Sequence, residues 1–195
     1  MSPRGRSTVL GVAGLALAVA GQAWAETLPD PGLASPPAME AAIEEAAALS
    51  GLPRDWLVAV MDVESARQPR VVSRAGAMGL MQLMPGTWRE LRGRLGLGTD
   101  PFDVRDNLIA GATYLREMHD RFGSPGFLAA YNAGPERYAA HLAGRRTLPA
   151  ETVAYVARLA PRIAGAVPAP AAGWRSSPLF PDAPAAALFG ARAAR

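Results

Sequence analysis

The 195-residue chain has no cysteine, no lysine and only two histidines, and none of its apolar runs is long enough to cross a bilayer. Without cysteine the fold has no disulfide framework and no thiol to carry a lipid anchor. His119 and His141 stand far apart with no carboxylate motif between them, so the sequence offers no metal site, and no motif calls for a cofactor. His119, near the end of a helical stretch, is expected to stabilise that helix's C-terminus. The apolar run from Val9 to Ala20 is about a dozen residues, short of the roughly 20 that a membrane-spanning helix requires.

What the N-terminus does contain is Arg4 and Arg6, that apolar run, and Ala23-Trp24-Ala25 before Glu26. This pattern predicts a signal peptide over residues 1–25 with an A-x-A cleavage site, and so an exported, periplasmic protein with no stable membrane anchor. The residues that follow are enough for one domain with a core, since single domains commonly run about 100 to 150 residues. All 20 basic residues are arginine, against 17 acidic ones. Without Arg4 and Arg6 the balance is 18 to 17, close to neutral, which gives no electrostatic case for a nucleic-acid partner.

Residues 26–38 include the proline-rich "TLPDPGLASPPA" and read as a linker, so the ordered domain is expected over 39–165. Helices are predicted at about 39–50 and 53–65, with Gly51 between them and Pro53 in the first turn of the second. From Arg70 to Gly86 glycine punctuates short apolar runs, which suits turns and a small β element. Asp103 can cap a helix reaching about Phe122, with Leu108, Ala112, Leu115 and Met118 as its apolar stripe and Gly123 at its end. A short helix follows Ser124-Pro125, and a last one covers Glu151 to Ala160, where Pro161 is expected to end or bend it. Residues 166–195, alanine- and proline-rich without period, read as a flexible tail.

Chemistry enters at Glu64. Leu57, Val60 and Met61 precede it by seven, four and three residues, which places the carboxyl on their apolar face, while Asp62 points elsewhere. Desolvated by such neighbours, a carboxyl holds its proton near neutral pH and can serve as a general acid.

Three blocks in order carry a resemblance. Glu64-Ser65 is followed eight residues later by Ser73, then by "GAMGLMQLMPGT" from Gly76 to Thr87, and later by "AYNAGP" from Ala130 to Pro135. Over about residues 50–165 the chain resembles the soluble lytic transglycosylase (SLT) domain of the lysozyme-like superfamily. The resemblance implies a mainly α, lysozyme-like α+β fold with a small β element near the active-site cleft. It implies Glu64 as the single catalytic acid and base, with Ser73 and Tyr131 close to it. Gln82 and Met84 line the saccharide groove in this reading, and Gly79, Leu80 and Met81 shape a wall whose backbone reaches the sugar. Asn132 belongs to the same wall, and Tyr155 matches the family's tyrosine in a late helix. Met61, Met78, Met81 and Met84 also fit as core filler. The family commonly has Arg-Gln before Glu-Ser and an aromatic residue with Asn-Pro after it; this chain has Asp62-Val63 and then "ARQP".

Most glycosidases flank the scissile bond with two carboxyls, whereas these motifs supply one, which suffices where an N-acetylated sugar assists its own cleavage. As the resemblance implies, Glu64 protonates the oxygen between N-acetylmuramic acid and N-acetylglucosamine in peptidoglycan. It then deprotonates the C6 hydroxyl of the muramyl unit, which closes on C1 to a 1,6-anhydro end without consuming water. Two rivals stand: a goose-type hydrolase of the same fold, and a wall-binding or assembly protein that has lost catalysis. A small domain with no appended wall-binding module resembles transglycosylases of type IV secretion or conjugation, so envelope-spanning secretion machinery is the expected partner beyond the glycan strands.

Overall fold

The helix predicted from Leu108, Ala112, Leu115 and Met118 forms the centre of the molecule. A computed structural model describes residues 35–165; the expected signal peptide, residues 26–34 of the linker and the tail from 166 lie outside the described residues. Among the described residues seven helices follow one another: α1 Pro36–Ser50, α2 Arg54–Ser65, α3 Pro85–Leu95, α4 Val104–Phe122, α5 Gly126–Ala133, α6 Pro135–Leu142 and α7 Ala150–Ile163. Asp103 caps α4, its side chain accepting from the backbone N–H of Asp106 at 2.9 Å. The four stripe residues are fully or almost fully buried, and α4 packs against α1, α3 and α5, while α7 lies on α2 and α5. Among the described residues no helix is long and apolar enough to cross a membrane.

Four expectations need correction. Helix α1 begins at Pro36, so residues 36–38 are helical rather than linker; proline is tolerated at the first helical positions, whose N–H groups have no intrahelical partner. Helix α7 continues through Pro161 to Ile163, because Leu159 and Ile163 are buried on its inner face and hold the last turn in place. His119 does not act as a cation at the end of α4. It is wedged against the rings of Trp56 and Phe127, with centroids 5.5 and 5.3 Å away, and burial lowers its pKa, favouring the neutral ring. Finally, residues 70–84 form turns with two isolated antiparallel bridges, Val72 with Met78 and Met78 with Leu83, and among the described residues no strand. Left-handed backbone at Gly76, Gly79 and Gln82 turns the chain too often for a ladder to extend.

Candidate active site

Glu64 sits in the last turn of α2, partly buried, and Leu57, Val60 and Met61 below it are completely buried. This desolvation pushes its carboxyl up to about 7, against the opposing hydrogen bond from Tyr155, and the negative charge of Glu151 adds to the rise. The Tyr155 hydroxyl, from α7, donates to Glu64 Oε1 at 2.7 Å. Burial keeps that hydroxyl protonated far above its ordinary range, with the neighbouring Glu64 acting in the same direction, so Tyr155 remains a donor. Because Oε1 accepts, the carboxyl proton is directed to Oε2, the oxygen left to meet a ligand.

The segment 71–84 is fixed by side-chain hydrogen bonds beyond its two isolated bridges. The Ser73 hydroxyl accepts from Ala77 N at 3.0 Å and closes a turn. Gln82 Nε2 donates to the carbonyls of Val71 (3.2 Å) and Gly79 (2.9 Å), so its amide braces the segment from inside. Gly79, at φ 76°, has no room for a side chain: a Cβ there would lie 2.4 Å from Asn107 Nδ2. Leu80 and Met81 are completely buried, whereas Met84 is 46% exposed.

Met81 carries the segment's ties to the rest of the protein. Its N–H is donated to Asn107 Oδ1 at 2.8 Å and its carbonyl accepts from Tyr131 at 2.8 Å, so its backbone is engaged within the protein. The Tyr131 hydroxyl is accordingly directed at Met81 and not at the Glu64 carboxyl. Tyr131 is nonetheless close enough to Glu64 for that carboxylate to help hold its hydroxyl protonated, after burial. Asn132 joins the site through α7, its Oδ1 accepting from Thr152 Oγ1 at 2.7 Å, three residues before Tyr155.

Asn107 escaped the sequence reading. Almost fully buried in α4, it accepts from Met81 N and donates to the carbonyls of Met78 (3.2 Å) and Pro101 (2.8 Å), tying the 71–84 segment to the central helix. Its signal was an amide four residues before Gly111 and eight before Leu115, on a face otherwise apolar. Gly111 completes the seat, since a Cβ there would fall 2.3 Å from that of Met81.

In the comparison with known proteins, the family model "Transglycosylase SLT domain" matches residues 41–153, more than half of the chain. The chain belongs to that family. A transglycosylase of Enterobacteria phage PRD1 is 45% identical over 76 residues, covering 38% of this chain and 27% of the phage protein. The soluble lytic murein transglycosylase of Escherichia coli K12 is 37% identical over 93 residues, 44% of this chain and 14% of that one. Among solved structures, an inactive variant of the lytic transglycosylase Slt from Pseudomonas aeruginosa superposes with a TM-score of 0.56 at 34% identity, over 64% of this chain and 23% of that chain. The 70-kDa soluble lytic transglycosylase in complex with bulgecin A gives the same TM-score at 30% identity. The chain thus spans about a quarter or less of the length of these SLT-domain relatives.

Proposed function

We propose that the chain is a lytic transglycosylase that cleaves the β-1,4 bond between N-acetylmuramic acid and N-acetylglucosamine in peptidoglycan, leaving 1,6-anhydromuramyl ends. The observation that carries the reading is the Tyr155-aimed Glu64 carboxyl, protonated up to about pH 7 and unpartnered at Oε2 among the described residues. Oε2–H donates to the glycosidic oxygen as the bond to C1 breaks. The carboxylate so formed, stabilised by Tyr155, then takes the proton of the C6 hydroxyl as O6 closes on C1. One group therefore serves as acid and then as base, and the proton count closes without water. Ser73, Gly79, Leu80, Gln82, Met84, Tyr131 and Asn132 belong to the substrate-binding side of this proposal, Gln82 and Tyr131 by fixing the wall. The end of the domain near residue 165, export through residues 1–25 to the periplasm, and service to an envelope-spanning secretion or conjugation machine rest on the sequence alone and belong to the same proposal.

One observation favours a second reading. Glu151, exposed at the start of α7, lies near enough for its charge to act on Glu64, and a hydrolase that activates water needs a second carboxylate. Mass spectrometry of digested, purified peptidoglycan separates the two. Anhydro ends support the transglycosylase, and ends heavier by one water support the hydrolase. Glu64→Gln, which keeps the shape and removes the transferable proton, is expected to lose at least ~10²-fold in rate. Near-normal turnover by the folded variant would remove Glu64 from the chemistry.

A further inference from the structure

Glu64 and Tyr155 meet where α2 packs on α7, and two residues before Glu64 the same helices are joined a second time. Asp62 Oδ1 accepts from Arg67 Nε at 2.7 Å, and Oδ2 accepts from Arg162 Nη2 at 2.6 Å. Arg162 Nη1 also donates to the Ala59 carbonyl at 3.3 Å. One carboxylate thereby joins the last turn of α2, the residues leaving it, and the last turn of α7.

Both joined segments are ones that need holding. Ala66 and Arg67 leave α2 in the left-handed region, at φ 50° and 61°, a conformation uncommon for residues other than glycine. Arg162 follows Pro161, which removes a helical hydrogen bond from the turn it sits in. Arg162 is also seven residues after Tyr155, on the same face of α7 two turns further on. The Asp62–Arg162 contact and the Glu64–Tyr155 bond are therefore two rungs between one pair of helices.

We propose that Asp62 is a positioning residue: by engaging Arg67 and Arg162 together it fixes the end of α2 against α7 and keeps the Glu64 carboxyl on the Tyr155 hydroxyl. The proposal rests on the reading of Glu64 as the acid.

The sign of a titration tests it. Asp62 is faced by Arg67 from the exit of α2 and Arg162 from α7; Glu64 is faced by Tyr155 and Glu151 from α7 and Tyr131 from α5, while Arg70 and Arg74, further along the chain after α2, are exposed. If Asp62 acted on Glu64 only as a nearby negative charge, its removal would make Glu64 easier to ionise and lower its midpoint. If it holds the carboxyl against Tyr155, its removal loosens a bond that favours the charged form, and the midpoint rises. The Glu64 carboxyl is followed by carbon NMR across a pH series in the full chain, in Asp62→Ala, in Tyr155→Phe and in the double variant. Asp62→Ala is expected to move the midpoint up by roughly half to one pH unit, and to produce no further rise in the Tyr155→Phe background. An unchanged or lower midpoint in folded Asp62→Ala overturns the proposal, as does an equal rise without the Tyr155 hydroxyl. Should Asp62→Ala not fold, Asp62→Asn, which keeps the shape and one acceptor for two arginines, is expected to give a smaller rise. No rise there overturns the proposal equally. Because the titration involves no substrate, its failure leaves the transglycosylase reading standing, and that reading falls only on the product analysis.

Discussion

A carboxyl held at about 7 in the folded protein and near its ordinary 4.5 in the unfolded chain binds more protons folded than unfolded between those values. The stability that Glu64 contributes is therefore fully present below about pH 4.5 and is lost as the pH rises through about 7, where the charged form must sit among desolvating neighbours. The difference is at most about 3 kcal/mol by linkage. Glu64→Gln, uncharged at every pH, is thus expected to melt above the wild type at pH 8, with the gap closing toward pH 5. A gap that does not grow with pH would show that the carboxyl is not held up by burial. Wild-type activity, which needs the acid form, is expected to fall as the pH passes through about 7. The apolar face of Glu64 was legible in the spacing of Leu57, Val60 and Met61. Which tyrosine would touch it was not, because a motif names residues without fixing where a hydroxyl points. Tyr131 donates to Met81, a carbonyl enclosed in the core, and Tyr155 serves the acid. Tyr131→Phe is accordingly expected to cost about 1–2 kcal/mol of stability, by leaving that carbonyl without its donor. The high-pH limb of activity should stay in place in Tyr131→Phe and move upward in Tyr155→Phe, and paired melting curves and pH–rate profiles distinguish the two tyrosines.

At the scale of elements, the helices followed from period and punctuation, and the 71–84 segment did not. Its glycines announced turns, but its shape depends on Asn107, which sits more than twenty residues away in sequence and supplies an acceptor to Met81 and donors to Met78 and Pro101. No local pattern in "GAMGLMQLMP" reveals that its backbone is satisfied by a distant amide instead of by a strand. Asn107→Ala strips the Met81 N–H and the Pro101 carbonyl of these partners and leaves the Met78 carbonyl with the Leu83 N–H alone. A loss of about 2–4 kcal/mol is expected from the unsatisfied groups, with raised proteolytic or hydrogen-exchange lability concentrated in 71–84. Even exchange throughout the domain would mean that Asn107 supports the core generally rather than this wall. Gly79→Ala probes the same contact from the other side, since its Cβ would strike the Asn107 amide.

For the whole molecule, the question is which stretch of chain suffices to hold Glu64, Tyr155 and the 71–84 segment together. Proline-rich sequence misled at one end: "SPPA" looks like linker, yet Pro36 opens α1 and Met39 N donates to the Ser35 carbonyl at 3.0 Å. Helix α1 then buries Ala42, Ile43, Ala46 and Ala47 against the central helix α4, so its first turn is the start of an element on which the core depends. At the other end the last core side chain among the described residues is Ile163, and the sequence from 166 on has no apolar period by which to add an element. A protein running from Ser35 to Ala166 is therefore expected to melt at the temperature of the longer chain and to digest purified peptidoglycan at the same rate. One beginning at Met39 is expected to melt lower, because α1 loses its proline-initiated turn, while its products stay unchanged, because every residue of the site is retained. Thermal melts and muropeptide analysis of the two proteins decide the matter. If the 35–166 protein unfolds or loses activity, the residues after 166 belong to the working domain, and the boundary drawn from composition is wrong.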